Sequence, residues 1–490
     1  MQDKLDQITD LFITWCGQAP DDIDILQQAG SERRYFRIWK DGKSTIGTYG
    51  ANIKENESFF YFSEEFQKKH LPVANILAIS TDRAYYLQED FGTVSLINHL
   101  EKHGETDAVY QLYKKSLQEL ARVQVLGDQG LDYDKCLTNK EFGKQAIMAD
   151  LLYFKYYFLD ALRRPYDKQA LIDDFEALST YLTHTDYKFF MMRDYQSRNI
   201  QVMEDGSVHF IDYQGGMKGA PQYDVASLLW QARANLSNDW KEALLTDYIA
   251  ALEPLLDRPL NKSVFVSQYN GYVLIRLLQV LGAYGFRGLF ERKAQFLTSI
   301  PLALRNLKSF ITKNAMGISV PEFTKVLQLC ISDEIINEFT PVQATAETPL
   351  IVKISSFSFK KGLPVIDDPD NHRDGGGFVF DCRGILNPGR IESMKAKTGR
   401  DKEVIQYLEQ QTKMPEFINS VFDVVDITVE DFIKRNFNSL MVSFGCTGGQ
   451  HRSVYAADAL ARHLKNKFKV KVELNHWVQD AKNWVNAPNL

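Results

Sequence analysis

KFFMMRDYQSRNIQVMEDGSVHFIDYQGGMKGAPQYD, residues 188–224, is the stretch around which the chain is organised. A strand-like apolar run, Phe189 to Met192, delivers Arg193-Asp194 into a polar loop, and Asn199 follows five residues after Asp194. A short hairpin, Ile200 to Ile211, then presents Asp212.

Phosphoryl transfer asks a protein for positioning and charge neutralisation rather than covalent chemistry, so its parts are few. One carboxylate must accept the substrate hydroxyl's proton, and a second carboxylate with an amide oxygen must hold Mg²⁺ against the phosphates. Asp194 fits the first role; Asn199 and Asp212 fit the second. Singly, each is also an ordinary turn residue, because Asp and Asn side chains bond their own backbone. The set points elsewhere, because spacing, flanking strands and an apolar-Asp-Tyr-Gln element recur together.

MRDYQSRN, then FIDYQGG, then PQYDVASLL resemble the aminoglycoside phosphotransferase family of small-molecule kinases. The resemblance implies an α+β protein-kinase-like bilobal domain that uses ATP and Mg²⁺. The family's loop is usually His-x-Asp, and Met192 stands at the His position, so the hydrogen bonds of that His must come from elsewhere. The Asp of Tyr-Asp-x-Ala is structural in the family, which makes Asp224 a scaffold residue.

At 490 residues the chain is too long for one core and implies two or three domains. A 44% hydrophobic and 24% charged composition is ordinary for a globular protein, and a net charge of −6 exerts no general pull on nucleic acid or anionic membranes. Any RNA contact must therefore be a local patch. Five scattered cysteines without a CxxC pair argue for a reducing compartment and against a structural zinc site. The N-terminus, MQDKLDQITDLFITWCG, lacks a basic start and apolar core, and GYVLIRLLQVLGAYGF is broken by Arg276 and short for a bilayer. A cytoplasmic enzyme without membrane contact is the expectation.

In chain order, residues 3–17 read as an amphipathic helix, and Ile25 to Gln28, Tyr35 to Trp39 and Ser44 to Tyr49 as three strands. The first turn, AGSERRYFRI, would lie over a nucleotide's phosphates, offering backbone N–H groups, the Ser31 hydroxyl and the cations Arg33 and Arg34. With one glycine, it also fits an ordinary hairpin. Most kinases hold the α- and β-phosphates with a lysine of the third strand, yet STIGTYG offers none. The anomeric sugar kinases acting on N-acetylmuramate and N-acetylglucosamine also lack it, and SERRYFRI, KENESFF and RLLQVLGAYGFRG are similar to that branch. The resemblance lets the first-turn arginines stand in for the lysine. Glu55 and Glu57 in the next helix either orient a basic partner or form a solvated face.

YYLQEDFG resembles the hinge between the lobes, where the backbone around Gln88 to Asp90, with Glu89 at its centre, would bind adenine's edge. Helical periodicity follows over Val94 to Lys102, Thr106 to Gln124, Glu141 to Leu162 and Lys168 to His184, and again over Trp240 to Leu252, Lys262 to Leu281 and Phe296 to Lys313. The aromatics of LLYFKYYFLDALRRPY read as a sugar-stacking wall or a packed helix. Arg276 and Arg287 read as contacts to an anionic substrate or as packing salt bridges. The kinase-like domain thus spans residues 1–331, with a small lobe over about 1–90 and a large lobe over about 91–331. SDEIINEFTPVQATAETP, 332–349, reads as a linker.

Residues 350–490 read as a separate α/β domain: strands at Leu350 to Ser356, Gly377 to Cys382 and Ser439 to Gly445, a polar insertion DDPDNHRDGGG, and helices between. The last strand runs through GCTGGQHRSV into a helix from Val454 to Lys465. A strand, a glycine-rich turn and a helix N-terminus favour phosphate through unpaired N–H groups and the helix dipole. The candidate phosphate-binding residues are Cys446, Thr447, Gly448, Gly449, His451 and Arg452. Cys446-x5-Arg452-Ser453 also matches the loop of cysteine-dependent phosphatases.

SFSFKKGLP, FVFDCRGILNPGR, KTGRD and GCTGGQHRSVYAADAL, in that order, resemble the C-terminal domain of the RNase adapter protein RapZ over roughly residues 350 to 480. That resemblance implies binding of an amino-sugar phosphate and, as in the adapter, of a small regulatory RNA. Gly389 stands where relatives often carry an aromatic or His. Lys465, Lys467, Lys469 and Lys471 form a basic run that also fits a solvated edge strand. The two halves imply an ATP- and Mg²⁺-dependent kinase of a small sugar or amino sugar, in cell-wall sugar recovery, joined to a sugar-phosphate module. The alternatives are a catalytically weak adapter that senses amino-sugar phosphate and a cysteine phosphatase in the C-terminal domain.

Overall fold

The computed structural model describes residues 2–26, 33–291, 294–364 and 377–484. Ser31 and most of the insertion DDPDNHRDGGG lie outside the described residues. The chain forms two compact units, one of Met1–Ala283 with Leu302–Ile331, the other of Tyr284–Pro301 with Ser332–Leu490.

The first unit opens with helix α1 (Gln2–Cys16), strands β1 (Asp22–Ile25), β2 (Arg34–Lys40) and β3 (Lys43–Tyr49), helix α2 (Ile53–Lys68), and strands β4 (Ile76–Ile79) and β5 (Tyr85–Glu89). The strands make one antiparallel sheet in the order β1-β2-β3-β5-β4. Alternation decides its faces: Phe36, Ile38 and Leu87 are buried with Ile8 and Phe12 of α1. A Cβ at Gly47 would meet Ile8 at 2.5 Å, so this face of β3 presses directly on α1. Asn52 caps α2 by accepting the Glu55 N–H, and the buried Phe59, Phe62 and Phe66 follow at helical spacing.

Helices α3 (Leu96–His103), α4 (Asp107–Asp128), α5 (Lys144–Phe154) and α6 (Lys168–Thr183) follow. α5 starts three residues later than its periodicity predicts, because Phe142 donates its N–H to Lys218 O and pins that segment as extended chain. The segment from Phe189 to Gly219 holds β6 (Phe189–Met191), β7 (Ile200–Val202), β8 (Val208–Phe210) and β9 (Met217–Gly219). β6 pairs with β9 and β7 with β8, both antiparallel. Then come α7 (Gln222–Leu229), α8 (Asn238–Leu252) and α9 (Lys262–Gly285), next in the chain α10 (Ala294–Leu297), which is counted with the second unit, and then α11 (Ile300–Lys313) and α12 (Pro321–Cys330). A five-stranded lobe followed by a helical lobe is the protein-kinase-like bilobal architecture.

α9 runs on through Arg276, where the sequence pattern breaks, because that arginine is paired rather than exposed. Among the described residues, Lys262–Phe290 is the one helical stretch long and apolar enough to cross a membrane, and 56% of its most apolar window is buried inside the fold.

The segment read as a linker carries a short helix, α13 (Asp333–Phe339), capped by the Ser332 hydroxyl accepting the Ile335 N–H. The second unit continues with β10 (Ile351–Ser358), β11 (Gly377–Asp381), α14 (Lys402–Gln411), α15 (Met414–Lys434), β12 (Ser439–Cys446), α16 (Arg452–Phe468), β13 (Lys471–His476) and α17 (Trp477–Asp480). Its sheet is parallel throughout, in the order β11-β12-β10-β13. Parallel pairing requires crossovers, and the apolar runs of β10 and β12 are buried beneath α15 and α16. Ligand sites of such sheets lie beyond the carboxyl ends of the strands, where β12 enters α16.

Candidate functional site

β6 ends at Met191, and the chain turns sharply into the loop: Arg193 has φ 69° and Asp194 donates its N–H to Met192 O at 2.9 Å. A left-handed arginine costs about 1–3 kcal/mol, and what surrounds it must offset that. Asp224, fully buried on α7, does so by accepting the N–H groups of Met192 at 2.8 Å and Arg193 at 2.9 Å. Burial pushes the Asp224 carboxyl up to about 7, against these bonds and one from Gln124. Met192 itself turns its thioether into the core. The backbone of this loop is therefore anchored from α7, with no histidine side chain at 192.

Asn199 ties the loop to the β7–β8 hairpin. Its Nδ2 donates to the Asp194 carbonyl at 2.9 Å and to Asp212 Oδ2 at 3.1 Å. With the amide nitrogen spent on two acceptors, Oδ1 is the atom Asn199 can offer a cation. Asp212 also takes a left-handed backbone, φ 66°. Asp194, Asn199 and Asp212, separated in sequence, are thus joined by one amide. Arg276 of α9, 5% exposed, reaches Asp194 Oδ1 at 3.5 Å, while Arg193 bonds the buried Asp150 at 3.1 Å. Asp150 is pushed up by burial, partly countered by Arg193 and Arg276.

The donor set around Asp212 fits Mg²⁺. Among the described residues no three His, Cys, Asp or Glu side chains gather as a cage. Mg²⁺ takes one or two protein carboxylates and completes its shell with phosphate oxygens and water, so an Asp–Asn pair suffices.

The predicted nucleotide residues divide. Arg33, just before β2, is buried with Glu55 at 3.4 Å and Asn56 at 3.4 Å. Arg34 lies in β2 opposite Tyr49. Glu89 spends its carboxylate on the Asn75 main-chain and side-chain amides, both at 2.9 Å, so its side chain braces the β4–β5 edge. Beside it, Arg37 grips Asp90 through Nε at 2.5 Å and Nη2 at 3.0 Å and bonds Gly92 O at 2.9 Å, stiffening the chain between the lobes. Sequence reasoning missed this strut, and also Gln214, whose signal was its place in the repeated Asp-Tyr-Gln element. Gln214 Nε2 donates to Asp212 Oδ1 at 2.9 Å and Glu55 Oε1 at 3.3 Å. Glu57 instead pairs with Arg83.

In the second unit, β12 delivers Cys446 at the sheet's carboxyl edge. Its sulfur, 3% exposed, accepts the Gly449 N–H at 3.2 Å and lies 3.2 Å from Ser453 Oγ. Burial alone would raise the thiol, but hydrogen bonds from Ser453 and from the Gln450 backbone, with the charge of Arg452, outweigh it and hold it below its usual value. Gly449 has φ 64°, and a Cβ there would meet Val478 at 2.6 Å, so a side chain fits neither backbone nor space. Thr447 O accepts the Ser358 hydroxyl at 2.7 Å. Arg452 donates to Ile385 O at 2.6 Å, Arg383 O at 3.1 Å and Thr447 Oγ1 at 3.4 Å, and among the described residues its buried Nε has no partner. His451 is tied to Met394 O at 3.0 Å, and burial lowers its pKa, so it is neutral near pH 7. A Cβ on Gly389 would come within 3.1 Å of that ring, so a larger residue at this turn would require the ring to shift. Behind the loop, Arg400 grips Asp458 at 2.8 and 2.9 Å and bonds His476 at 2.9 Å, and His476 in turn meets Ser356 at 2.8 Å. Of the basic run, Lys467 is held by Asp426 at 2.6 Å.

Among solved structures, the chain is similar to the choline kinase LicA from Streptococcus pneumoniae (12% identity, 63% of this chain and 99% of that one, TM-score 0.43). It is also similar to an ethanolamine kinase from Plasmodium vivax (13% identity, 59% and 82%, TM-score 0.43). Two curated relatives, each called a nucleotide-binding protein, come from Endomicrobium trichonymphae (38% identity over 143 residues, 29% of this chain and 46% of the relative) and Acetivibrio thermocellus (38% over 160 residues, 33% and 50%). The chain spans about half the length of the curated relatives it matches. Residues 350–479, which hold the parallel sheet and the Cys446–Arg452 loop, match the family of the RapZ C-terminal domain.

Proposed function

We propose that the first unit is an ATP- and Mg²⁺-dependent kinase that phosphorylates a hydroxyl of a small sugar or amino sugar, and that the second unit holds a sugar phosphate. The observation that carries the kinase reading is the single Asn199 amide bridging the Asp194 backbone and the Asp212 carboxylate. Asp194 accepts the proton of the acceptor hydroxyl as its oxygen bonds to the γ-phosphorus, and ADP leaves with the displaced electron pair. Asn199 and Asp212 would hold Mg²⁺, which supplies charge neutralisation on the phosphates when bound. Arg276 orients the Asp194 carboxylate from behind. Arg33 and Arg34 would face the nucleotide, and the backbone at Glu89 would meet adenine.

ADP release across a panel of amino sugars, muramic acids and aminoglycosides tests the reading. Turnover on an amino sugar is expected, placing the protein in cell-wall sugar recovery. No release on any member favours the second reading, an adapter with a silent kinase-like unit, which the lysine-free interior of β3 also favours.

For the Cys446–Arg452 loop, two observations favour phosphate holding over phosphate cleavage. The sulfur is buried and already engaged by Gly449 and Ser453, while Arg452 keeps a donor unpaired. Hydrolysis of a generic aryl phosphate that Cys446→Ser abolishes would reverse this in favour of a cysteine phosphatase. RNA is a further ligand that the resemblance to the RapZ C-terminal domain implies for this unit, tested by gel shift with a structured small RNA.

A further inference from the structure

We infer that Arg33 performs the task that protein kinases give to a third-strand lysine, and that Gln214 links it to the metal-binding carboxylate Asp212. The inference rests on the phosphotransferase reading above. In protein kinases a lysine of the third strand must be paired with a glutamate of the following helix before the α- and β-phosphates are held. Here the only cation in β3 is Lys43, exposed at the hairpin end opposite Lys40.

The face on which such a lysine would stand is nevertheless identifiable. Gly47 points at Ile8 and Ile38, so its neighbour Thr48 points the other way, and Thr48 is paired in register with Tyr86. Tyr86 packs on Phe59 and Phe60 of α2. Arg33 comes to the same place from the segment just before β2: its guanidinium lies 5.9 Å from the Phe59 ring and 3.4 Å from Glu55. The cation stands at the residue just before β2 instead of within β3, while its glutamate stays on the helix.

Glu55 carries the connection further. It accepts from Gln214 Nε2, which also donates to Asp212, so Arg33, Glu55, Gln214 and Asp212 form one unbroken chain. Because Nε2 donates to two carboxylates, the orientation of the amide is settled by its partners. Two buried atoms of this chain, Arg33 Nε and Gln214 Oε1, have no partner among the described residues. A buried unpaired donor is costly, and a polyphosphate oxygen would satisfy the arginine. The unpaired amide oxygen would take a water at the phosphates.

The test is calorimetry of ADP and adenosine, with and without Mg²⁺, on the full chain. Arg33→Met is expected to weaken ADP by at least about 10-fold and leave adenosine within about 2-fold, because only the diphosphate loses a charged hydrogen bond. Arg33→Lys is expected to recover part of the loss, as is Thr48→Lys added to Arg33→Met. Gln214→Leu is expected to abolish the tightening of ADP by Mg²⁺ and to weaken Mg²⁺-free ADP less than Arg33→Met does, with adenosine within about 2-fold. Equal losses for ADP and adenosine in Arg33→Met, or no loss, would overturn the inference while the kinase reading stands. If the parent protein binds neither ligand, the kinase reading falls and takes this one with it.

Discussion

Asp224 accepts the backbone N–H of Met192 at 2.8 Å across 32 residues of sequence. With its second bond, to Arg193, it holds both residues that precede Asp194, including the one with left-handed φ. Asp224→Ala leaves two buried donors unpaired, at a cost of about 2–4 kcal/mol. Asp224→Asn is expected to recover less than half of this, because its amide nitrogen faces a donor. Urea unfolding measures the loss, and turnover should fall in both variants as the loop relaxes.

Asp194 is half exposed while Arg276, which reaches it, is almost fully buried. Asp194→Ala is expected to lower turnover by about 10²–10⁴-fold, the usual worth of a general base, with nucleotide affinity within about 2-fold. Arg276→Met removes one of the two cations that face the buried Asp150 and is expected to destabilise the first unit by about 3 kcal/mol. Unchanged turnover in Asp194→Ala would remove the assignment of the base.

The sequence makes Asp194, Asn199 and Asp212 legible because all three sit in one local supersecondary unit, where spacing fixes relative position. It leaves Arg33–Glu55 and Gln214–Glu55 illegible, because those pairs depend on how α2 packs against strands distant in sequence. The strands over Tyr35 to Trp39 and Ser44 to Tyr49 were legible, but the first strand, read from Ile25, runs over Asp22–Ile25 because its register pairs Asp22 with Trp39. α13 has a capping serine and acidic first turn, yet its seven residues are too few to display a period. The Asp458–Arg400–His476 group was invisible for the same reason as Glu55: its members come from three elements that meet only in the folded sheet.

Arg452 fixes the Cys446–Arg452 loop to the carbonyls of Arg383 and Ile385, while its Nε has no partner among the described residues. A ligand at about 100 times its dissociation constant stabilises a folded protein by about 2.7 kcal/mol. Glucosamine 6-phosphate at that excess is expected to raise the unfolding free energy of the second unit by about this amount, and in Arg452→Met to raise it by less than about 1 kcal/mol. Equal stabilisation of parent and variant would show that the arginine does not touch the ligand.

Asp458 supplies the pH dependence of the second unit. Burial alone would raise its carboxyl, but hydrogen bonds from His476 and Arg400 prevail and hold it at about 2, below the ordinary 3.8. A depressed carboxyl contributes stability that is present above the unfolded value and lost as pH falls through the folded one. The window here is from about pH 4 down to about pH 2, and the contribution is on the order of 2 kcal/mol. Asp458→Asn removes it, so the urea midpoint of the variant should fall less steeply than the parent's between pH 5 and pH 2. Parallel pH profiles in the two proteins would mean that the Arg400–Asp458 pair stores no such energy.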